Sequence, residues 1–131
     1  MSERGSVTFW LLGLAFAVST LGVLSVDLWS LIGERRELAA AVDAAAMAAV
    51  TAVDEGEWRA TGRLTLDREL AEVRARALVG LDTRVTVVFE PDGITVRVSV
   101  SRTVATALLG LAGTDHVTVG AAAAATATVR E

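Results

Sequence analysis

The chain has 131 residues, a formal charge of −4 with no lysine, and a hydrophobic fraction of 53%. That length allows one small domain once any membrane segment is subtracted, and the mean hydropathy of +0.52 directs attention to a bilayer-length apolar run. The absence of cysteine excludes disulfides and thiolate metal sites, and a net acidic chain with no basic cluster speaks against a nucleic-acid partner.

Residues 1–5, MSERG, are a short polar leader before an uncharged run at 6–26, SVTFWLLGLAFAVSTLGVLSV, and the apolar character resumes after Asp27 as far as Ile32. The segment 6–32 is expected to form a transmembrane helix, because ~20 apolar residues in helical rise cross the hydrocarbon core. The hydroxyls of Thr8, Ser19, Thr20 and Ser25 can bond back to their own helix, Gly13 and Gly22 permit close approach of another helix, and Trp10 and Trp29 suit the two interfaces. A cleaved secretory signal ending at AFA, residues 15–17, is the rival, but it would leave a second apolar run at the front of the mature chain. Asp27 sits either at headgroup level or deeper, paired with an arginine of a neighbouring subunit. Both placements remain open.

Between Gly33 and Gly56 there is no proline or internal glycine, so the helix is expected to continue as an Ala-rich extension over 33–54. At ~100° per residue Leu38, Val42, Ala45, Ala49 and Val53 gather on one stripe with Ala46 at its edge, while Arg36, Asp43 and Asp54 share another flank. The low relief of alanine makes this stripe a surface for packing against other helices, with Asp43 as a fastener beside it. A single helix from 7 to 53 spans ~70 Å.

EGEWRATGR, residues 55–63, carries two glycines and reads as a linker or turn; the acids of DEGE, 54–57, read as a solvated turn rather than a weak calcium site. Residues 64–131 are expected to form a small α+β unit. Its helix, capped at Thr65 or Asp67, turns Leu70, Val73, Ala77, Leu78 and Leu81 to one side, and Glu72 can pair with Arg76. The period then changes to two. Val85, Val87 and Phe89, then Ile94, Val96, Val98 and Val100, alternate with polar residues around a Glu90-Pro91-Asp92-Gly93 turn, which predicts a β-hairpin. TVATALLGLAG reads as a short apolar helix ended by Gly113, and HVTVGAAAAATATV as a third strand. A unit of about 70 residues lies near the lower limit for an independent core, so it needs neighbours or the long helix to complete burial.

The single histidine, His116, follows Asp115, but neighbours in a strand point to opposite faces, so the pair reads as a turn before a strand. No phosphate loop, metal-ligand cluster or nucleophile elbow occurs. The expectation is therefore a protein that is not an enzyme, with no cofactor, metal or small-molecule substrate.

ERGSVTFWLLGL, the apolar span, and VDLWSLIGERRELAAAVDAAAMAAV together resemble the N-terminal region of the TadE/TadG-like proteins of tight-adherence (Tad, Flp-type) pilus assembly. The shared elements fall on Arg4-Gly5, the span 6–26, Val26-Asp27, Arg35-Arg36 and Asp43-Ala44-Ala45-Ala46, within about the first 53 residues; the remainder agrees only in outline. The resemblance implies a single-pass, pilin-like protein of the cytoplasmic (inner) membrane, with residues 1–5 a cytoplasmic leader and the C-terminal domain outside. It would act as a minor pilin-like or assembly subunit of a type IV-related pilus or secretion system. Its partners would be the membrane and other pilus subunits, met by lateral helix packing at Asp27, Leu38, Val42, Asp43, Ala45, Ala49 and Val53. A prepilin-type leader would be cut between Gly5 and Ser6. The fifth residue after Gly5 is Trp10, where pilins carry glutamate, so the intersubunit glutamate contact does not carry over. The competing reading is a membrane-tethered surface module that captures a ligand through the hairpin and ALLGLAG.

Overall fold

The computed structural model describes residues 4–106, 110, 113 and 115–128. In chain order the elements are α1 (Arg4–Ala49), α2 (Glu55–Thr61), α3 (Arg68–Ala77), β1 (Arg84–Phe89), β2 (Thr95–Ala105) and β3 (His116–Thr126). The chain groups into two compact units, one with residues 4–33 and the described residues between 104 and 117, the other with 34–103 and 118–128.

In the first unit every side chain from residue 6 to residue 26 is exposed, the rings of Phe9, Trp10 and Phe16 included. Leaving such side chains in water forgoes ~1.5–3 kcal/mol each, so this stretch is matched to an apolar solvent. Among the described residues α1 is the one helix long and apolar enough to cross a membrane. Thr20 Oγ1 donates to the Phe16 carbonyl and Ser25 Oγ to that of Leu21, both at 2.8 Å. These back-bonds satisfy the hydroxyls without water. Asp27 interrupts the pattern: it is 9% exposed, where its neighbours on the helix lie open.

The second unit is a three-stranded antiparallel sheet, in the order β1-β2-β3, covered on one face by helix. The hairpin register places Phe89 opposite Val96, Val87 opposite Val98 and Val85 opposite Val100, so the apolar half of each alternation lands on one side. Val96, Val98 and Val100 are buried because β2 is central. The turn between the strands closes through Glu90 N–H to the Thr95 carbonyl at 3.0 Å, and Gly93 supplies its φ of 73°. β3 lies on the other side of β2, fastened by the Thr95 and Thr126 hydroxyls at 2.9 Å and by Ala127 N–H to the Ile94 carbonyl at 2.9 Å.

Over this sheet α1 contributes Leu38, Val42, Ala45, Ala46 and Ala49, each no more than 1% exposed, and α3 contributes Ala71 and Ala75. Alanine is the cover of choice here, because backbones can approach closely only where side chains are small.

Several expectations change at the helix ends. α1 stops at Ala49 rather than running to residue 54, as Thr51 and Ala52 donate to the i−3 carbonyls of Ala48 and Ala49 and tighten the last turn. The chain then forms a two-residue ladder, with Asp54 N–H to the Thr65 carbonyl at 2.9 Å and Asp67 N–H to that of Ala52 at 2.8 Å, around a bridge between Val53 and Leu66. Asp54 thereby leaves the flank expected for it beside Asp43. Its Oδ1 instead accepts from Gly56 and Glu57 N–H and caps α2, a helix inside the expected linker 55–63. Of the two glycines that read as breakers, Gly62 is the cap that ends α2 with φ 72°, and Gly56 lies in its first turn.

For α3 the cap is Asp67, whose side chain accepts from Leu70 N–H at 3.0 Å. The expected inward face is corrected. Ala71 and Ala75 are buried, whereas Leu70, Val73, Leu78 and Leu81 are 38%, 60%, 51% and 104% exposed. Volume explains the inversion, because the larger side chains do not fit the space that the alanines fill. Finally, Thr103, Val104 and Ala105 belong to β2 rather than to the expected short helix, most of whose remaining residues lie outside the described ones.

Candidate functional site

The stripe Leu38, Val42, Ala45 and Ala49 lies together as expected, with Val53 half-buried beyond the helix end. Its role is corrected, because it forms the core of its own unit and is closed to neighbouring subunits. A three-stranded sheet with one apolar face needs a cover, and this helix is the cover supplied within the chain. Among the residues α1 leaves exposed at this level, Arg36, Ala40, Asp43 and Met47 have the i, i+4, i+7, i+11 spacing of one helix face. Asp43 is thus a solvent-side group, while Asp27 is shielded. Gly5 and Ser6 lie in the first turns of α1.

An arginine that the sequence reading passed over joins three segments. The inward alternation Val96, Val98, Val100 continues to Arg102, whose side chain is 24% exposed. Its Nη1 lies 3.1 Å from Glu34 Oε2 and 3.8 Å from Glu37 Oε1 on α1, and its Nε donates to Thr83 Oγ1 at 3.1 Å. An inward register position occupied by arginine at the end of an apolar alternation is a signal in itself, since such a charge needs partners. Two carboxylates and a hydroxyl supply them, and the cluster pins β2, the segment before β1 and α1 together.

Of the surface ion pairs, Glu72 and Arg76 meet at 3.7 Å on the outer side of α3 as expected, a pair of small energetic weight. Arg68 lies over the Phe89 ring at 5.3 Å, a cation–π contact between α3 and β1. The Thr95 hydroxyl and the N–H groups of Ile94 and Thr95 hold the Asp92 carboxyl below the usual carboxylate range. These bonds stiffen the hairpin turn. His116 and Asp115 are both exposed at the start of β3. Among the described residues no group of three or more histidine, aspartate or glutamate side chains converges as a metal site.

The described residues thus comprise an exposed apolar stretch of α1 in the first unit and, within the second, a sheet whose core includes Leu38 to Ala49 of that helix and a charged cluster of Arg102, Glu34 and Thr83. No protein-family model, characterised protein or solved structure matches this chain.

Proposed function

We propose that this chain is a single-pass membrane subunit of a Tad/Flp-type, type IV-related pilus or secretion machinery, a minor pilin-like or assembly protein with its head outside the cytoplasmic membrane. The observation that carries this reading is the continuity of α1. One helix is at once the exposed apolar segment of residues 6–26 and, from Leu38 to Ala49, the covering layer of a small antiparallel sheet. With the alanine stripe committed to the core, subunit contacts fall to the apolar span, where Gly13 and Gly22 leave open space, and to the face of Arg36, Asp43 and Met47.

The test is genetic and biochemical together. Deleting the gene should abolish surface pili and adhesion, and an epitope after residue 128 should copurify pilus components from membranes. Unchanged pili with no copurifying component would end this reading.

A further inference from the structure

α3 carries two apolar stripes, and the fold uses only one. The buried stripe is Ala71, Ala75 and, beyond the helix, Val79. The exposed one is Leu70, Val73 and Ala77. Putting alanines inside and leucines outside opposes the hydrophobic gradient of a lone domain, and it leaves a ridge with a cost in water.

The charges along the helix are polarised. Arg68, its first residue, is turned to its own chain over the Phe89 ring; of the other charges, Glu69 and Glu72 occupy the N-terminal half and Arg74 and Arg76 the C-terminal half, with Asp67 as the cap before them. A helix with acid at one end and base at the other complements itself when a second copy lies antiparallel: the acidic half of each covers the basic half of the other. On the flank that carries Glu69 and Arg76, the two residues meet crosswise, once on either side of the two-fold axis. Arg74, on the opposite flank, is drawn toward its own chain by Thr51 Oγ1 at 2.7 Å, which lessens its approach to its symmetry mate.

A shallow notch of about 280 Å³ lies beside Asp67, Glu69, Leu70 and Val73 at the N-terminal end, and in an antiparallel pair it faces the C-terminal end of the other copy.

We propose that α3 is a homodimer surface, on which the Leu70–Val73–Ala77 ridge packs against the same ridge of a second copy, antiparallel and about a two-fold axis near Val73. The contact is isologous, so it closes at two chains. It does not depend on the pilus reading and stands or falls by itself.

The absence of cysteine makes thiol cross-linking of the full chain in membranes a clean test. Val73→Cys should couple to itself about tenfold more than Val88→Cys, as expected for thiols held at high effective concentration; Val88, on β1, is also exposed. Glu69→Cys mixed with Arg76→Cys should give mixed dimers, and Glu69→Cys alone should not. Glu69→Arg should weaken the dimer about fivefold, and adding Arg76→Glu should restore it, the signature of a crossed charge pair. All these positions are exposed, so loss of folding does not confuse the result. Dimers held by the membrane helix alone, with Val73→Cys uncoupled, would overturn the proposal. So would self-coupling of Glu69→Cys as strong as the mixed reaction, which means parallel pairing, or coupling of Val73→Cys to a different protein only.

Discussion

Arg102 reaches Glu34 across 3.1 Å, joining the far end of the central strand to the point on α1 where the core stripe begins. Both side chains are less than one-third exposed, so the pair is less screened than a surface bridge. Removing the arginine strands Glu34 and leaves the Thr83 hydroxyl without its donor. Arg102→Met should therefore cost about 1–3 kcal/mol. Glu34→Gln, which keeps an acceptor, should cost less. Thermal unfolding of both variants and of the double mutant gives the coupling directly.

Two residues one position apart on α1 should separate the core from the surface. Val42 is buried under the sheet and Asp43 faces outward. Asp43→Ala should change stability by no more than about 0.5 kcal/mol. Leu38→Ala, on the buried stripe, should cost about 2–5 kcal/mol through lost burial and a cavity. Ala45→Leu should cost about 1–3 kcal/mol by overpacking. Denaturant midpoints measure all three, and an innocuous Ala45→Leu would mean that the stripe is not packed as described.

The hairpin turn should register in acid. The folded Asp92 carboxyl holds its proton less tightly than an unfolded one, for which the ordinary value is ~3.9. Its contribution to stability is complete above that value and is lost as pH falls through the lower folded one. Stability curves of the native chain and Asp92→Ala should run apart at neutral pH and converge as pH falls through the lowered folded value. Curves that stay parallel to the acid limit would show that the Thr95 and Ile94 bonds do not favour the ionised form.

Gly93 offers a conformational test of the same turn. With φ at 73°, Gly93→Ala should cost about 1–2 kcal/mol, the penalty of a side chain in the left-handed region. Open space surrounds the position except for Thr65 Cγ2 at 3.9 Å, so the loss reports backbone strain and not a clash. Thermal unfolding measures it.

Truncation should divide anchor from core inside one helix. A chain starting at residue 34 retains the buried stripe and the Glu34 clamp, and it should be water-soluble with its sheet intact. A chain starting at residue 54 lacks Leu38, Val42, Ala45 and Ala49 and should not fold. Circular dichroism and sedimentation distinguish the two.

The parts of this fold that the sequence shows are those whose hydrophobic period is unmixed. The uncharged run before Asp27 and the alternation through Val85–Phe89 and Ile94–Val100 each have one periodic explanation, and both elements form where expected. α3 misleads because it bears two apolar stripes, and a reading by side-chain size picks the leucines although only the alanines fit against the core. α2 stays hidden because, of its two glycines, taken as breakers, Gly62 is its C-cap and Gly56 lies in its first turn behind the Asp54 cap. Arg102 escapes notice because one charged residue in a polar-looking run, SRT, discloses its direction only when the strand register is carried past Val100. The helix stripe on α1 was legible as a packing surface, but its partner was not. Periodicity identifies a face and says nothing of what covers it.

The alanines of α1 also bear on the order of synthesis. Val42 and Ala45 emerge from the ribosome more than fifty residues before Val98, with which they share the core, and such distant contacts close late. Through that interval the stripe is bare beside the long apolar segment of the same helix. A stripe of leucines would offer a sticky surface to the bilayer or to other nascent chains. Alanine exposes little apolar area while it waits and still fits tightly once β2 arrives, so the same methyl groups that close the core keep the unfinished chain out of trouble.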